Sequence, residues 1–354
     1  EQGLAIAQRI GAPSSEVVQR LRLSYAYFNS AAWDEALHSS VEAIATARRV
    51  GQPRDLAFSL ASMAMIAALE GNPTEAEVRI DEARTVFANP TSIEGYVSGV
   101  VNLAEAVLAL HLGQVERALS IARGFDSVST SSGSRVGLIP PYLPQGLSLL
   151  AEVQVAAGDA ESALDTVRNL ASIGSTDTAY FAALASRVEG LARKSLGQIQ
   201  AASACLDRAR KIFTALEMPF EAARCMIEQA GLASATQPEL AVRYAQQSLA
   251  IFERLGAERQ AERARLLLQR FGLSPLATSR PRLGGVPVTS RELAVARLVA
   301  ESLTTAEIAK RLTISPYTVG HHLTNIYARL GITSRTALAR CVMEAGLVQP
   351  RHEK

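Results

Sequence analysis

Residues 286–348 read VPVTSRELAVARLVAESLTTAEIAKRLTISPYTVGHHLTNIYARLGITSRTALARCVMEAGLV, and their punctuation decides how this end of the chain folds. Thr289 and Glu292 form a Thr-x-x-Glu capping box ahead of the apolar positions Leu293, Ala296, Leu298 and Val299. Thr304 and Glu307 repeat the device before Ile308, Ala309 and Leu312. Ser315 caps a third helix with Pro316 at its first position, where a missing N–H costs nothing. Gly331 stops that helix, Ser334 caps a fourth and Gly346 ends it. A short helix, a tight connection and a longer helix make the layout of a helix-turn-helix reader.

A helical wheel at 100° per residue places Val319, Leu323, Ile326 and Leu330 of the third helix in one narrow stripe, which must be buried. Opposite lie Tyr317, His321, Thr324 and Ala328, with Gly320 and Asn325 on the flanks. No carboxylate stands there to repel phosphate, so the face suits base edges in a major groove. An ordinary solvent face of a small helical domain fits the wheel equally well.

The segment resembles the LuxR-type (GerE-like) helix-turn-helix domain over about 60 residues. The resemblance is carried by Thr289-Ser290-Arg291-Glu292, Glu307-Ile308-Ala309, Ser315-Pro316 with Thr318-Val319, and His322-Leu323. Asn325-Ile326, Leu330-Gly331 and Ser334-Arg335 complete it. It implies binding to double-stranded DNA as a homodimer on inverted half-sites, to regulate transcription, with RNA polymerase a candidate partner. Three positions depart from the family pattern: Ser290 stands where Pro is usual, Ser302 where Gly is usual, and Gly320 where Lys usually faces DNA. Sequence preference is therefore not carried over.

Carried onto this chain, the resemblance makes Lys310, Arg311, Arg329 and Arg335 phosphate contacts, with the backbone N–H groups after Ser315 holding a further phosphate. Tyr317 and Thr318 add side-chain contacts there, and Gly320, His321 and Thr324 face bases. Thr304, Thr305, His322 and Asn325 complete the expected DNA surface. The fourth helix is the family's dimer surface, so Leu338, Cys341 and Val342 are the dimerisation candidates.

The 354 residues suffice for at least two domains, and the net charge of +2 is unevenly spread. From Arg280 onward, 11 Lys and Arg face 5 Asp and Glu; the preceding part holds the other 25 basic and 29 acidic residues. A basic tail on a mildly acidic body fits nucleic-acid binding by the tail. No apolar run approaches the roughly 18 residues needed to span a bilayer, and the start, EQGLAIAQRI, lacks a signal core. Cys205, Cys225 and Cys341 show no paired spacing, which favours free thiols in a reducing cytoplasm.

The preceding region is nearly all amphipathic helix, and it repeats. A turn followed five residues on by Ala recurs from Ala31, Gly71, Gly113, Gly158, Gly197 and Thr236, reaching Ala36, Ala76, Ala118, Ala163, Ala202 and Ala241. The intervals are 40, 42, 45, 39 and 39 residues. Such a period predicts a stack of helical hairpins with a concave surface. The pattern resembles the tetratricopeptide-like repeats of MalT-like regulators, which implies a body that senses a small molecule or a partner protein. Tyr27, Phe28 and Trp33, with Tyr25, are expected in its core. Residues 124–144 are expected to form a loop.

The fold expected is therefore all-α: a TPR-like solenoid over 1–271, a Pro/Gly/Ser-rich linker over 272–287 and a four-helix reader over 288–348, with a tail over 349–354. No phosphate loop, dinucleotide fingerprint, His-Glu-x-x-His or Gly-x-Ser-x-Gly occurs, and His38 and His111 have no acidic or Cys neighbour in sequence. A non-enzymatic regulator without a cofactor or metal is expected. Two alternatives stay open: a repeat scaffold whose tail serves protein association, and a C-terminal piece of a larger MalT-like ATPase regulator.

Overall fold

A computed structural model of the chain describes residues 2–86, 94–132, 142–173, 179–273, 282–312 and 314–347. A first helix, α1 (Gln2–Arg9), leads into six hairpins. They pair α2 (Pro13–Asn29) with α3 (Trp33–Val50), α4 (Pro53–Glu70) with α5 (Pro73–Val86), and α6 (Glu94–His111) with α7 (Val115–Ser132). Next come α8 (Leu143–Ala156) with α9 (Ala160–Ile173), α10 (Ala179–Ser195) with α11 (Ile199–Ala215), and α12 (Pro219–Ala233) with α13 (Pro238–Leu255). A last body helix, α14 (Glu258–Arg270), packs on α13 and also reaches α4.

The repeat pattern explains the hairpins residue by residue. Ala31, Gly71, Gly113, Gly158 and Gly197 all turn with positive φ, at 60, 80, 75, 86 and 73°. Ala36, Ala76, Ala118, Ala163, Ala202 and Ala241 are fully buried where the second helix crosses the first. A larger side chain at these positions would force the two helices apart. The sixth turn differs: Thr236 does not adopt a positive φ, and Pro238 at the first position starts the following helix instead.

The even-numbered helices α2 to α14 form the inner wall of the solenoid and enclose a cavity of about 630 Å³. The first and last hairpins meet across it: the rings of Trp33 and Phe220 pack edge-to-face at 5.4 Å, and Phe28 stacks on Trp33 at 6.2 Å. Tyr25, expected in the core, is instead 40% exposed at the cavity wall, where its hydroxyl bonds Gln145. At the cavity floor Glu152 accepts from Arg187 at 3.0 Å and Arg224 at 2.6 Å. Burial opposes the Glu152 charge, but the two guanidiniums outweigh it and hold the carboxyl well below the usual range.

Two expectations need correction here. Residues 124–132 are not loop but the end of α7; 133–141 lie outside the described residues. The boundary of the reader domain also moves toward the N-terminus. Residues 282–287, assigned to the linker, form a hairpin of β1 (Arg282–Leu283) and β2 (Val286–Pro287), and Leu283 is fully buried in the reader's own core. Residues 274–281 of the expected linker are outside the described residues.

The reader comprises α15 (Ser290–Ala300), α16 (Thr305–Leu312), α17 (Pro316–Leu330) and α18 (Arg335–Glu344). Its core joins Leu283 and Val288 to Val295, Ala296, Ile308, Val319, Ile326, Leu338 and Val342. The caps read from sequence are all present. Thr289 and Glu292 bond reciprocally at 3.0 and 2.7 Å, Thr304 and Glu307 do the same, and Ser315 and Ser334 accept from Thr318 and Ala337. Each such cap stabilises its helix by about 1 kcal/mol. Ser302 turns at φ 65°, which accounts for the glycine usual at that position in the resembled family.

Candidate nucleic-acid interface

Helix α17 buries most of the stripe expected of it: Val319 and Ile326 are fully enclosed, Leu323 is buried, and Leu330 is half-buried against the same core. The opposite side is where sequence reasoning and structure part. His321, His322 and Asn325 are also buried, at 7, 6 and 7% exposure, because the side expected to face DNA lies against α3, α4 and α5 of the body.

Among the described residues, five polar contacts build that junction. His321 Nε2 lies 2.6 Å from Glu70 Oε2, at the last residue of α4. His322 Nε2 lies 2.9 Å from Asp34 Oδ1, and Arg291 donates to Asp34 Oδ2 at 2.8 Å. Asn72 donates to Asn325 Oδ1 at 2.8 Å, and Arg79 donates to the Tyr317 hydroxyl at 2.8 Å. Arg79 is itself held by Glu75 at 2.9 Å. A small polar cavity of about 70 Å³, lined by Asp34, Glu70, Gly256, Arg291 and His322 among others, remains inside the junction.

The electrostatics are matched. Burial disfavours a charge on His321, yet the Glu70 carboxylate beside it, helped by Glu75 and Asp34, outweighs burial and raises its pKa above the ordinary value. Burial would raise Asp34, but His322 and Arg291 reverse the sign and lower it. Burial raises the Tyr317 hydroxyl more than Arg79 lowers it.

The remaining expected residues divide into three groups. Thr304, Lys310, Arg311 and Thr324 are exposed, while Thr305 and Gly320 are half-buried. Others are committed within the reader: Thr318 is fully buried and its hydroxyl pairs with Ser315 at 2.8 Å. Arg329 bonds Glu292 at 3.3 Å and Arg335 bonds the Leu303 carbonyl. Two dimerisation candidates are corrected outright. Leu338 and Val342 are fully buried in the reader's core, and a side chain cannot fill its own core and a partner's at once. Cys341 is half-buried and Met343, beside it, is 58% exposed.

Sequence reasoning missed Asp34, Glu70, Asn72 and Arg79, which lie between 238 and 288 residues from their partners. One signal was present. Glu70 follows the apolar run Met63 to Leu69 at the end of α4 and is 9% exposed, and a carboxylate so placed needs a partner.

Fold and site together define a helix-turn-helix domain held by one side of its third helix against a helical-repeat body. The profile of the bacterial regulatory proteins of the luxR family (GerE) matches residues 286–342, so the C-terminal domain is of LuxR type. Proteins of Mycobacterium bovis (strain ATCC BAA-935 / AF2122/97) and Mycobacterium tuberculosis (strain CDC 1551 / Oshkosh), each named as an HTH-type transcriptional regulator, are 51% identical to this chain over 59 residues. That stretch is 17% of this chain and 7% of either relative, so the chain matches only a small part of the length of these relatives. A crystal structure of the apo form of RapI aligns with 94% of this chain and 86% of its own, at 12% identity and a TM-score of 0.40. Among the described residues no helix is long and apolar enough to cross a membrane, and no group of three His, Cys, Asp or Glu is placed to hold a metal ion.

Proposed function

We propose that the chain is a DNA-binding transcription regulator in which the repeat body masks the reader. One observation carries the reading. The side chains of α17 that suit base edges, His321 and Asn325 with Tyr317, are the ones the body occupies, and it does so with groups that imitate nucleic acid. Asp34 accepts from both Arg291 and His322 as a phosphate would, and the Asn72 amide pairs with Asn325 as an adenine edge would. Duplex DNA and the body therefore compete for one surface. Release exposes His321, His322, Asn325 and Tyr317 alongside Lys310, Arg311 and Thr324, which are already accessible.

The body is the natural receiver of the releasing signal, a small molecule or a partner protein. Dimerisation on DNA uses the exposed side of α18 near Cys341 and Met343 rather than Leu338 and Val342. A reducing cytoplasm is the expected setting.

The test compares the full chain with its Asp34→Asn/Glu70→Gln variant in selection from a random duplex pool at low salt. Enrichment of a common half-site by the variant, stronger than by the parent, supports the reading. No duplex binding by either, beyond that of Leu323→Asp with its disrupted reader core, overturns it. It then favours the second reading, a tail that serves only association with the body, for which the same docking speaks.

A further inference from the structure

The cavity inside the repeat ring plays no part in holding the reader, yet its wall is not that of a plain packing defect. One side is apolar, with Val18, Phe28, Phe58, Met65, Val107 and Leu149 turned toward the space. The same lining carries six arginines (22, 54, 187, 224, 259 and 263) against three carboxylates, Asp55, Glu152 and Glu221. Arg187 and Arg224 are paired with Glu152 and Glu221 at the floor, and Arg263 is paired with Glu228 beside the cavity. Arg259 and Arg263 stand one turn apart on the inward side of α14, and their mutual repulsion, added to burial, lowers the pKa of Arg259. A positive excess next to apolar wall asks for a negative group attached to an apolar one.

A second observation points the same way. Gln260 lies between those arginines in sequence and is 93% buried, being 7% exposed. Its Nε2 donates to His111 Nε2 at 3.1 Å, which leaves its Oε1 buried with no hydrogen-bond partner. His111 is fixed as acceptor because its Nδ1 donates to the Val107 carbonyl at 2.9 Å. Burial and the charges of Arg259 and Arg224 bring its pKa down to about 4, so the ring is neutral and adds no charge. A buried carbonyl oxygen without a donor is costly unless something fills the site. The space, about 630 Å³, is in the range that encloses a small organic molecule.

We propose that this cavity binds an amphiphilic organic carboxylate that bears an amide or hydroxyl donor next to its acid group. The acid meets Arg259, the donor meets Gln260 Oε1, and the apolar part lies along α2, α4 and α6. The inference deepens the sensing role proposed above and rests on that reading only for its consequence. The route to the reader is short: Leu69 lines the cavity and its neighbour Glu70 holds His321, while α14, with Arg259 and Gln260 in the wall, follows directly on Gly256 at the junction. A ligand that draws α4 and α14 inward alters both.

The experiment is calorimetric titration of the full chain with N-octanoylglycine, its uncharged methyl ester, and octanoate. The proposal expects N-octanoylglycine to bind at least about tenfold more tightly than either comparator, and Arg259→Gln to remove that advantage over the ester. The thermal melt of Arg259→Gln checks its folding; the comparison of the three compounds on the parent chain needs no variant. Equal binding of all three, preference for the ester, or no heat with any of them overturns the proposal. No DNA is present in this measurement, so its failure leaves the reader's proposed role untouched, and failure of duplex binding leaves the cavity result standing.

Discussion

Glu70, the last residue of α4, places its Oε2 2.6 Å from Nε2 of His321, near the middle of α17, across 251 residues of sequence. Both partners are buried and the carboxylate raises the histidine's pKa, so the contact favours the protonated ring at the surface on which DNA reading would depend. Whatever weakens it alters the balance between a covered and an open reader.

Glu70→Gln preserves the shape of the side chain and removes its charge. Loss of one partner from a buried, hydrogen-bonded charge pair costs about 2 kcal/mol or more, so the full chain should bind duplex DNA at least about tenfold more tightly. Fluorescence anisotropy with a selected duplex measures this. An affinity equal to the parent's would mean that Glu70 does not hold the reader closed.

Docking should also weaken as pH rises. Because the docked His321 has a pKa above its free value, its contribution is complete below about pH 6.5 and is lost as pH climbs through the docked value. Asp34 works in the opposite sense, but its lowered pKa confines its effect to strongly acid solution, below the window of interest. The affinity of the parent for duplex, divided by that of Glu70→Gln, should therefore increase between about pH 6 and 8.5, by up to one proton's worth of slope. The division cancels the pH dependence of the DNA contacts themselves. A ratio that falls over this range contradicts the assignment of charge to His321.

Ser302 ends α15 with φ at 65°, in the left-handed region where a side chain is strained. Ser302→Gly relieves that strain and should stabilise the reader by about 1 kcal/mol. Urea unfolding followed by circular dichroism reads the gain in the transition midpoint. A lower midpoint would show that the seryl side chain contributes more than its backbone conformation costs.

Gly320 lies inside α17, and a Cβ built there meets no atom within 4 Å. Gly320→Lys should then raise helix stability by up to about 1 kcal/mol. On the Glu70→Gln background, where the reader is free, it should steepen the salt dependence of duplex binding by about one. Tighter binding at an unchanged slope would place the new ammonium away from phosphate.

Much of this molecule is readable along the chain because its determinants are local. A cap needs two residues three apart, as Thr289 and Glu292 show, and a hairpin needs a residue tolerant of positive φ with a small one five positions on, as at Gly71 and Ala76. The apolar stripe of α17 follows from its 3.6-residue period, so Val319 and Ile326 could be assigned to a core before any coordinates. Periodicity distinguishes one face of a helix from another; it does not say what covers the second face. His321 looks as free as Thr324 on a wheel, and only one of them is exposed.

What covers α17 depends on where the first two hairpins of the body come to rest relative to the reader. That is fixed by the sum of hairpin crossings along the solenoid, to which every repeat contributes and no motif corresponds. Sequence alone determined the repeats, the caps, the reader's fold and its resemblance to a DNA-binding family. Tertiary structure alone decided that Asp34, Glu70, Asn72 and Arg79 lie against α17, because charges and amides carry no mark of partners more than 200 residues away. It also decided that Leu338 and Val342 face inward, since the spacing of a short amphipathic helix is the same whether its apolar side meets its own domain or a second copy.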